Sequence, residues 1–172
     1  MNVDQLKKFC APPGSVHQIF TKPHTIDGVT FATDTAIAIR IPAIPDGKSV
    51  DEYPDYKKII NSVAKKSKKL KSIEIPDFAI LEMKKCLDCY GSGLSTKDEI
   101  WCQNCEGAGK IEGLIGMENE IKPVLVGDTY FNPYLLSLIY KLPGIKIFPD
   151  GKKFPAYFIF YGGDGVIMPY RV

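Results

Sequence analysis

The chain has 172 residues, of which 45% are hydrophobic and 24% charged, with a formal net charge of +2. This composition suits a globular protein with a buried core and excludes a wholly disordered chain. No run of eighteen apolar residues occurs, which excludes a membrane-spanning helix, and the net charge does not by itself indicate nucleic-acid binding.

The amino terminus lacks an apolar stretch and reads as mature protein rather than signal peptide. Asn2 is a helix cap with Gln5 as its capping-box partner; Val3, Leu6 and Phe9 share one face, and Pro12-Pro13-Gly14 ends the element. Runs rich in Val, Ile, Thr and Phe predict strands at 16–21, 28–33 and 35–42, with Asp27-Gly28 as a turn. Pro42 to Pro54 reads as a linker. Asp55 caps a helix from Tyr56 to about Leu70, with Ile59, Ile60 and Val63 facing inward. Short strands follow at 73–75 and 78–83. Beyond a cysteine-rich stretch at 84–112, Leu114 to Pro123 reads as a return segment.

Asn132-Pro133 is a cap followed by proline in the first helical turn. Leu135, Leu136, Leu138, Ile139 and Leu142 supply the apolar stripe of that helix, and Pro143-Gly144 stops it. Strands are predicted at 145–148, 154–161 and 164–169, the last two joined through Gly162-Gly163-Asp164-Gly165. Without 84–112, one order of elements occurs twice, a helix and then about three strands, over 2–42 and 124–170. Two such half-units, paired edge to edge with both helices on one face, predict an α+β domain made of 1–83 and 113–172, with 84–112 inserted.

The insert holds two copies of Cys-x-x-Cys-x-Gly-x-Gly, with ligands Cys86, Cys89, Cys102 and Cys105. Two such turns offer four thiolates to one tetrahedral ion, so one structural Zn2+ is expected. Gly91, Gly93, Gly107 and Gly109 let the backbone approach the sulfurs, and Lys84, Lys85, Lys97 and Lys110 offset the charge of four thiolates on a divalent ion. Paired thiols without a leader sequence point to metal rather than disulfides, hence to a reducing cytoplasm. The insert resembles the cysteine-rich zinc region of DnaJ-type co-chaperones. No His-Pro-Asp occurs, however, and there are two repeats rather than four, so the resemblance implies a zinc hairpin and not a co-chaperone. Cys10, beside Phe9, reads as a core residue.

Three further stretches share a second resemblance. "FNPYLLSLIYKLPGIKIF" with the ending "GDGVIMPYRV", "VTFATDTAIAIRIP", and "EYPDYKKII" resemble the bacterial DNA polymerase III β subunit, the sliding clamp. In that family the counterparts are a Tyr-Leu-Leu helix with a final Met-Pro-Met-Arg-Leu, an Ala-Thr-Asp-Gly strand pair, and Phe-Pro-Asp-Tyr-Arg-Arg. The resemblance implies a clamp-like domain and a partner-binding pocket. Carried over by position, that pocket comprises Thr33, Thr35, Ala36 and Ile37; Pro54, Lys58 and Ile59; and Ile167, Met168, Pro169 and Tyr170. Thr35 stands where the family has glycine, Ala36-Ile37 replace a polar pair, and Tyr170 replaces methionine. The bland reading of the same residues is a set of core strands.

The clamp resemblance also implies basic helices against DNA, held without sequence preference. Lys7 and Lys8 on the first helix and Lys141 after the last are candidates. Residues 57–71 carry seven lysines and no acid, including Lys65, Lys66, Lys68 and Lys69. This run reads either as a phosphate-following patch or as a solvated helix face. One domain cannot encircle DNA, so the chain is expected either to assemble as a homo-oligomer or to be a shortened relative, as would suit a phage or mobile element.

Two functions follow. One is a non-enzymatic clamp-like protein of DNA replication or repair that binds DNA, partner peptides, or both. The other is a zinc-stabilised interaction module that mimics a clamp surface to bind or inhibit replication proteins. Catalysis is not expected: only His17 and His24 are available, and Asp34, Asp55, Asp128 and Asp164 lie in turn or capping contexts.

Overall fold

The computed structural model describes residues 1–15, 18–44, 55–78, 82–86, 110–113 and 122–170, with positions 89, 92, 94 and 102. Asn2 accepts a hydrogen bond from the Gln5 amide at 2.9 Å, and the Gln5 side chain accepts from the Asn2 amide at 3.0 Å. Two otherwise orphaned donors are thus satisfied, and helix α1, Val3–Leu6, passes straight into a 3-10 turn, Lys7–Phe9. Asp55 accepts from the Lys58 amide and starts α2, Tyr56–Ser67. Asn132 accepts from the Tyr134 amide and starts α3, Pro133–Tyr140.

The strands, in chain order, are β1 (His24–Ile26), β2 (Val29–Thr33), β3 (Ile37–Pro42), β4 (Glu82–Lys85), β5 (Lys110–Gly113), β6 (Val124–Val126), β7 (Thr129–Phe131), β8 (Lys146–Phe148), β9 (Ala156–Phe160) and β10 (Gly163–Ile167). Among the described residues, six form one antiparallel sheet in the order β1-β2-β3-β10-β9-β8, while β4-β5 and β6-β7 are separate pairs. The order of the large sheet is palindromic. Each three-strand meander gives its last strand to the centre, where Ile37 faces Ile167 and Arg40 faces Asp164.

Alternation along the strands divides the core in two. On one face Leu6, Phe9, Leu136 and Ile139 pack with Ala32, Ile37, Ile39, Phe158 and Ile167, so α1 and α3 cover the same side. On the other, Phe31, Ala38 and Val166 receive Ile60 of α2. Ile60 is fully buried, and such a side chain contributes about 1.5–3 kcal/mol relative to exposure. The molecule is therefore three layers deep through the sheet.

Two glycine positions matter to this frame. Asp27 and Gly28 both have positive φ, 50° and 73°, as the tight β1–β2 hairpin requires. In β10 a Cβ on Gly165 would fall well inside 3 Å of both the Ala38 carbonyl oxygen and the Phe158 ring, so the ring lies directly on bare backbone.

Several elements differ from the sequence reading. Of the strand predicted at 16–21, residues 16–17 lie outside the described residues and Gln18–Phe20 form a 3-10 turn, with Phe20 edge-on to Tyr56 at 5.7 Å. The strand predicted at 73–75 reduces to a bridge between Ile73 and Ile147. Residues 79–81 of the strand predicted at 78–83 lie outside the described set, and β4 begins only at Glu82. Ile59 is 46% exposed, because the sheet side of α2 is the Tyr56, Ile60, Val63, Ser67 row and Ile59 lies off its flank. The β6–β7 hairpin has no counterpart in the sequence reading. Asp164 lies within β10 rather than in a turn.

Candidate metal centre and partner surface

The β4–β5 pair brings the chain back on itself, with Lys85 opposite Lys110, and Cys86 follows β4 directly. Cys86, Cys89 and Cys102 are buried at 0%, 1% and 4% exposure, and none is in a disulfide. Their sulfurs lie within 4.8 Å of one another, with Cys86 Sγ and Cys102 Sγ 3.7 Å apart. Metal–sulfur bonds of about 2.3 Å at tetrahedral angles put thiolates about 3.8 Å apart, so this spacing fits a shared ion. Ser92 closes the turn after the second cysteine, its amide and hydroxyl both donating to the Cys89 carbonyl at 2.9 and 2.8 Å. Three buried thiols at this spacing can hold a metal ion. Cys105, Lys97 and the four motif glycines lie outside the described residues, while Lys84, Lys85 and Lys110 belong to β4 and β5.

Cys10 is remote from that cluster in sequence and half-buried; its thiol donates to the Leu6 carbonyl at 3.7 Å. Burial pushes this thiol up to about 12, which keeps it protonated and unreactive.

The residues of the clamp-derived pocket come together in part. Thr33 ends β2, its hydroxyl donating to the Ile37 carbonyl at 2.7 Å and accepting from the Thr35 amide at 3.0 Å. The Asp34 carboxylate accepts from the amides of Ala36 and Ile37 at 2.9 and 2.8 Å. Burial raises its pKa above the ordinary carboxylate value, and those amides oppose the rise. Between them Thr35 sits at a φ of 83°. The tail joins this turn: Ile167 pairs with Ile37, and the Met168 amide donates to the Ala36 carbonyl at 2.8 Å. The Tyr170 amide donates to the Tyr130 carbonyl at 2.7 Å, which holds the chain end beside β7. From the second stretch, half-buried Tyr56 packs on the cluster of Phe31, Ala38, Ile60 and Val166. Lys58 is exposed and pairs with Asp55 at 3.0 Å, Pro169 is half-buried, and Pro54 lies outside the described residues. Ile59 and Tyr170 present apolar surface, 46% and 36% exposed.

The lysines proposed to meet DNA do not form one surface. Lys7, Lys8 and Lys141 belong to the α1/α3 side, and Lys7 pairs with Asp4 at 2.9 Å. Lys65, Lys66, Lys68 and Lys69 are exposed at the end of α2, across the sheet. The sequence reading left the placement of the second group open; the packing of Ile60 on Phe31, Ala38 and Val166 fixes it.

A polar cluster on the α2 face was not anticipated. Arg40 donates through Nε and Nη2 to the two oxygens of Asp164 at 2.5 and 2.7 Å, and through Nη1 to Asn61 at 2.6 Å. The Tyr157 hydroxyl donates to the same carboxylate at 2.6 Å, and burial together with that carboxylate pushes the phenol well above its ordinary value. Phe31, Arg40, Lys57 and Asp164 line part of a cleft of about 350 Å3 beside this cluster. Alternation places Arg40 and Asp164 on one side, yet only the register that sets Arg40 opposite Asp164 makes them partners. Of the other candidates, buried His24 is bonded through Nε2 to the Ile19 carbonyl, and His17 lies outside the described residues. Asp55 caps α2, and Asp128 in the β6–β7 turn accepts from the Thr129 hydroxyl at 3.1 Å. Among the described residues no helix is long and apolar enough to cross a membrane. No protein-family model matches the chain, and no curated protein matches it.

Proposed function

We propose that the chain is a clamp-like, non-enzymatic protein of DNA replication or repair that receives a short apolar peptide of a partner beside residues 33–37, 56–59 and 167–170. The observation that carries this reading is the convergence of three stretches distant in sequence: Ile167 on Ile37, the Met168 amide on Ala36, and Tyr56 on the cluster of Phe31 and Ala38. The palindromic sheet with α1 and α3 on one face agrees with two half-units of one domain. Thr35 adds a residue-level argument. The clamp family has glycine at the matching position, and the backbone here keeps a glycine-like φ of 83° although the residue is threonine.

In the same proposal the inserted hairpin carries one structural Zn2+, with Cys105 completing the set begun by Cys86, Cys89 and Cys102. Four thiolates close the coordination sphere and leave no position for a reacting water. Such binding contributes about 10–16 kcal/mol in small zinc peptides, enough to order a module with almost no core of its own.

A labelled clamp-binding peptide from a bacterial replication protein, titrated by fluorescence anisotropy, tests the surface. Saturable binding is expected, with Ile59→Asp and Tyr170→Ala each weakening it about tenfold or more. Absence of binding, or binding indifferent to both substitutions, overturns the reading. A second reading, a module that mimics a clamp surface without holding DNA, is favoured by the Lys7–Asp4 ion pair, which neutralises part of the α1/α3 face. Peptide binding without any affinity for duplex DNA at low salt selects it.

A further inference from the structure

At the far end of α2 the helix meets the loop between β8 and β9. The loop turns back on itself, the Phe154 amide donating to the Gly151 carbonyl at 3.5 Å, and Pro155 follows. Phe154 is thereby held by a turn on one side and a fixed proline φ on the other. It is 53% exposed, and Lys66 Nζ stands 5.3 Å above its ring. Lys152 and Lys153 precede it directly, while Lys65, Lys68, Lys69 and Lys71 are exposed at the same end of α2. The acids nearest in sequence are Glu74, exposed, and Asp150, half-buried.

We infer that this patch is a binding site for single-stranded nucleic acid, with phosphates drawn to the lysines and an unpaired base stacked on Phe154. The two halves of the chemistry are both present. Ammonium groups exposed at this end of α2, and next to Phe154 in sequence, supply affinity through counterion release. A half-exposed aromatic face beside them supplies what a base needs and a duplex cannot use, because stacked bases offer no free face. An anionic membrane would use the charge but gains little from one phenyl ring. An acidic peptide would likewise leave the ring without a partner of matching shape. The inference is independent of the clamp reading, since the patch, although it uses the other end of α2, shares no residue with the 33–37, 56–59 and 167–170 surface.

The test uses the whole chain with fluorescein-labelled oligothymidylate of about 20 nucleotides in about 50 mM salt, with a duplex of equal length as competitor. Binding to the single strand is expected to exceed binding to the duplex. Phe154→Ala is expected to weaken it roughly 5- to 150-fold, the range for loss of one base–aromatic stack. Lys66→Ala with Lys153→Ala should lower the slope of log K against log salt by about 0.7 per lysine. No binding at this salt overturns the proposal. So does equal binding of duplex with Phe154→Ala silent, which marks charge attraction only, and so does capture of phosphatidylserine vesicles or polyglutamate in preference to the oligonucleotide. Failure here leaves the peptide titration untouched, and the reverse also holds.

Discussion

Thr35 shows most directly what a single position reveals. A β-branched side chain at positive φ crowds its own backbone, and left-handed geometry costs non-glycine residues about 1–2 kcal/mol. The turn tolerates it because Asp34 accepts from the amides of Ala36 and Ile37, Thr33 accepts from the Thr35 amide, and Met168 donates to the Ala36 carbonyl. Five residues of turn and tail thus hold one strained backbone in place, where strain often marks a working surface. Thr35→Gly is expected to stabilise the fold by about 1 kcal/mol, part of the relief being offset by the greater freedom of glycine in the unfolded chain. Urea denaturation checks this through a higher midpoint at unchanged slope; a lower midpoint would mean that the threonine side chain contributes contacts outweighing its strain. The sequence could supply the glycine-for-threonine comparison through its resemblance, but not the conformation, because threonine at a turn carries no mark of its φ.

At the scale of elements, β10 is the most constrained strand. Bare backbone at Gly163 and Gly165 lets the Phe160 and Phe158 rings press onto it, while Asp164 and Val166 point to the α2 face and engage Arg40 and Ile60. Gly165→Ala would drive a methyl group into the Ala38 carbonyl and the Phe158 ring, with expected destabilisation of about 1–3 kcal/mol, read as a fall in the thermal midpoint. A neutral effect would show that the ring can move aside. Most elements were legible in advance where local chemistry decides them. Asn2, Asp55 and Asn132 cap their helices as the sequence reading expects, and alternating Ile and Ala residues mark β3. What failed was decided elsewhere. Gly162-Gly163-Asp164-Gly165 has turn composition, yet only Tyr161 and Gly162 make the turn, since the pairing of Gly163 with Phe160 already belongs to the ladder. Gly127-Asp128, with glycine first as a type II′ hairpin needs, was a readable signal between β6 and β7 that the sequence reading did not use. The apolar row of α2 announces that one side is buried but not which face of the sheet buries it.

At the scale of the whole molecule, two cores hold the sheet between its helices, and the cysteines form a third cluster of their own. Metal and sheet are therefore expected to be separable. Exhaustive chelation should leave the cooperative thermal transition of the sheet and its far-ultraviolet dichroism nearly intact, while Cys86, Cys89 and Cys102 become rapidly alkylated. Cys10, its thiol pushed up to about 12 by burial, should stay slow at neutral pH, so mass spectrometry of the modified peptides tells the two classes apart. Loss of the whole transition on chelation would mean that the insert supports the sheet. Of the candidate metal centre, cysteine spacing made readable the three thiols that the structure brings within reach of one ion, because thiolate chemistry is local. The Arg40–Asp164 pair, 124 positions apart in sequence, was not, because only strand register joins it.

The palindromic sheet has one more consequence, at its two margins. Beyond β8 the Ile73 amide already donates to the Ile147 carbonyl at 2.9 Å, so that margin is occupied, whereas β1 pairs among the described residues only with β2. A lattice of copies joined strand to strand needs two vacant flanks on every member. With the β8 flank taken by Ile73 and only β1 left among the described strands, strand-to-strand joining through these margins is expected to end at a back-to-back couple.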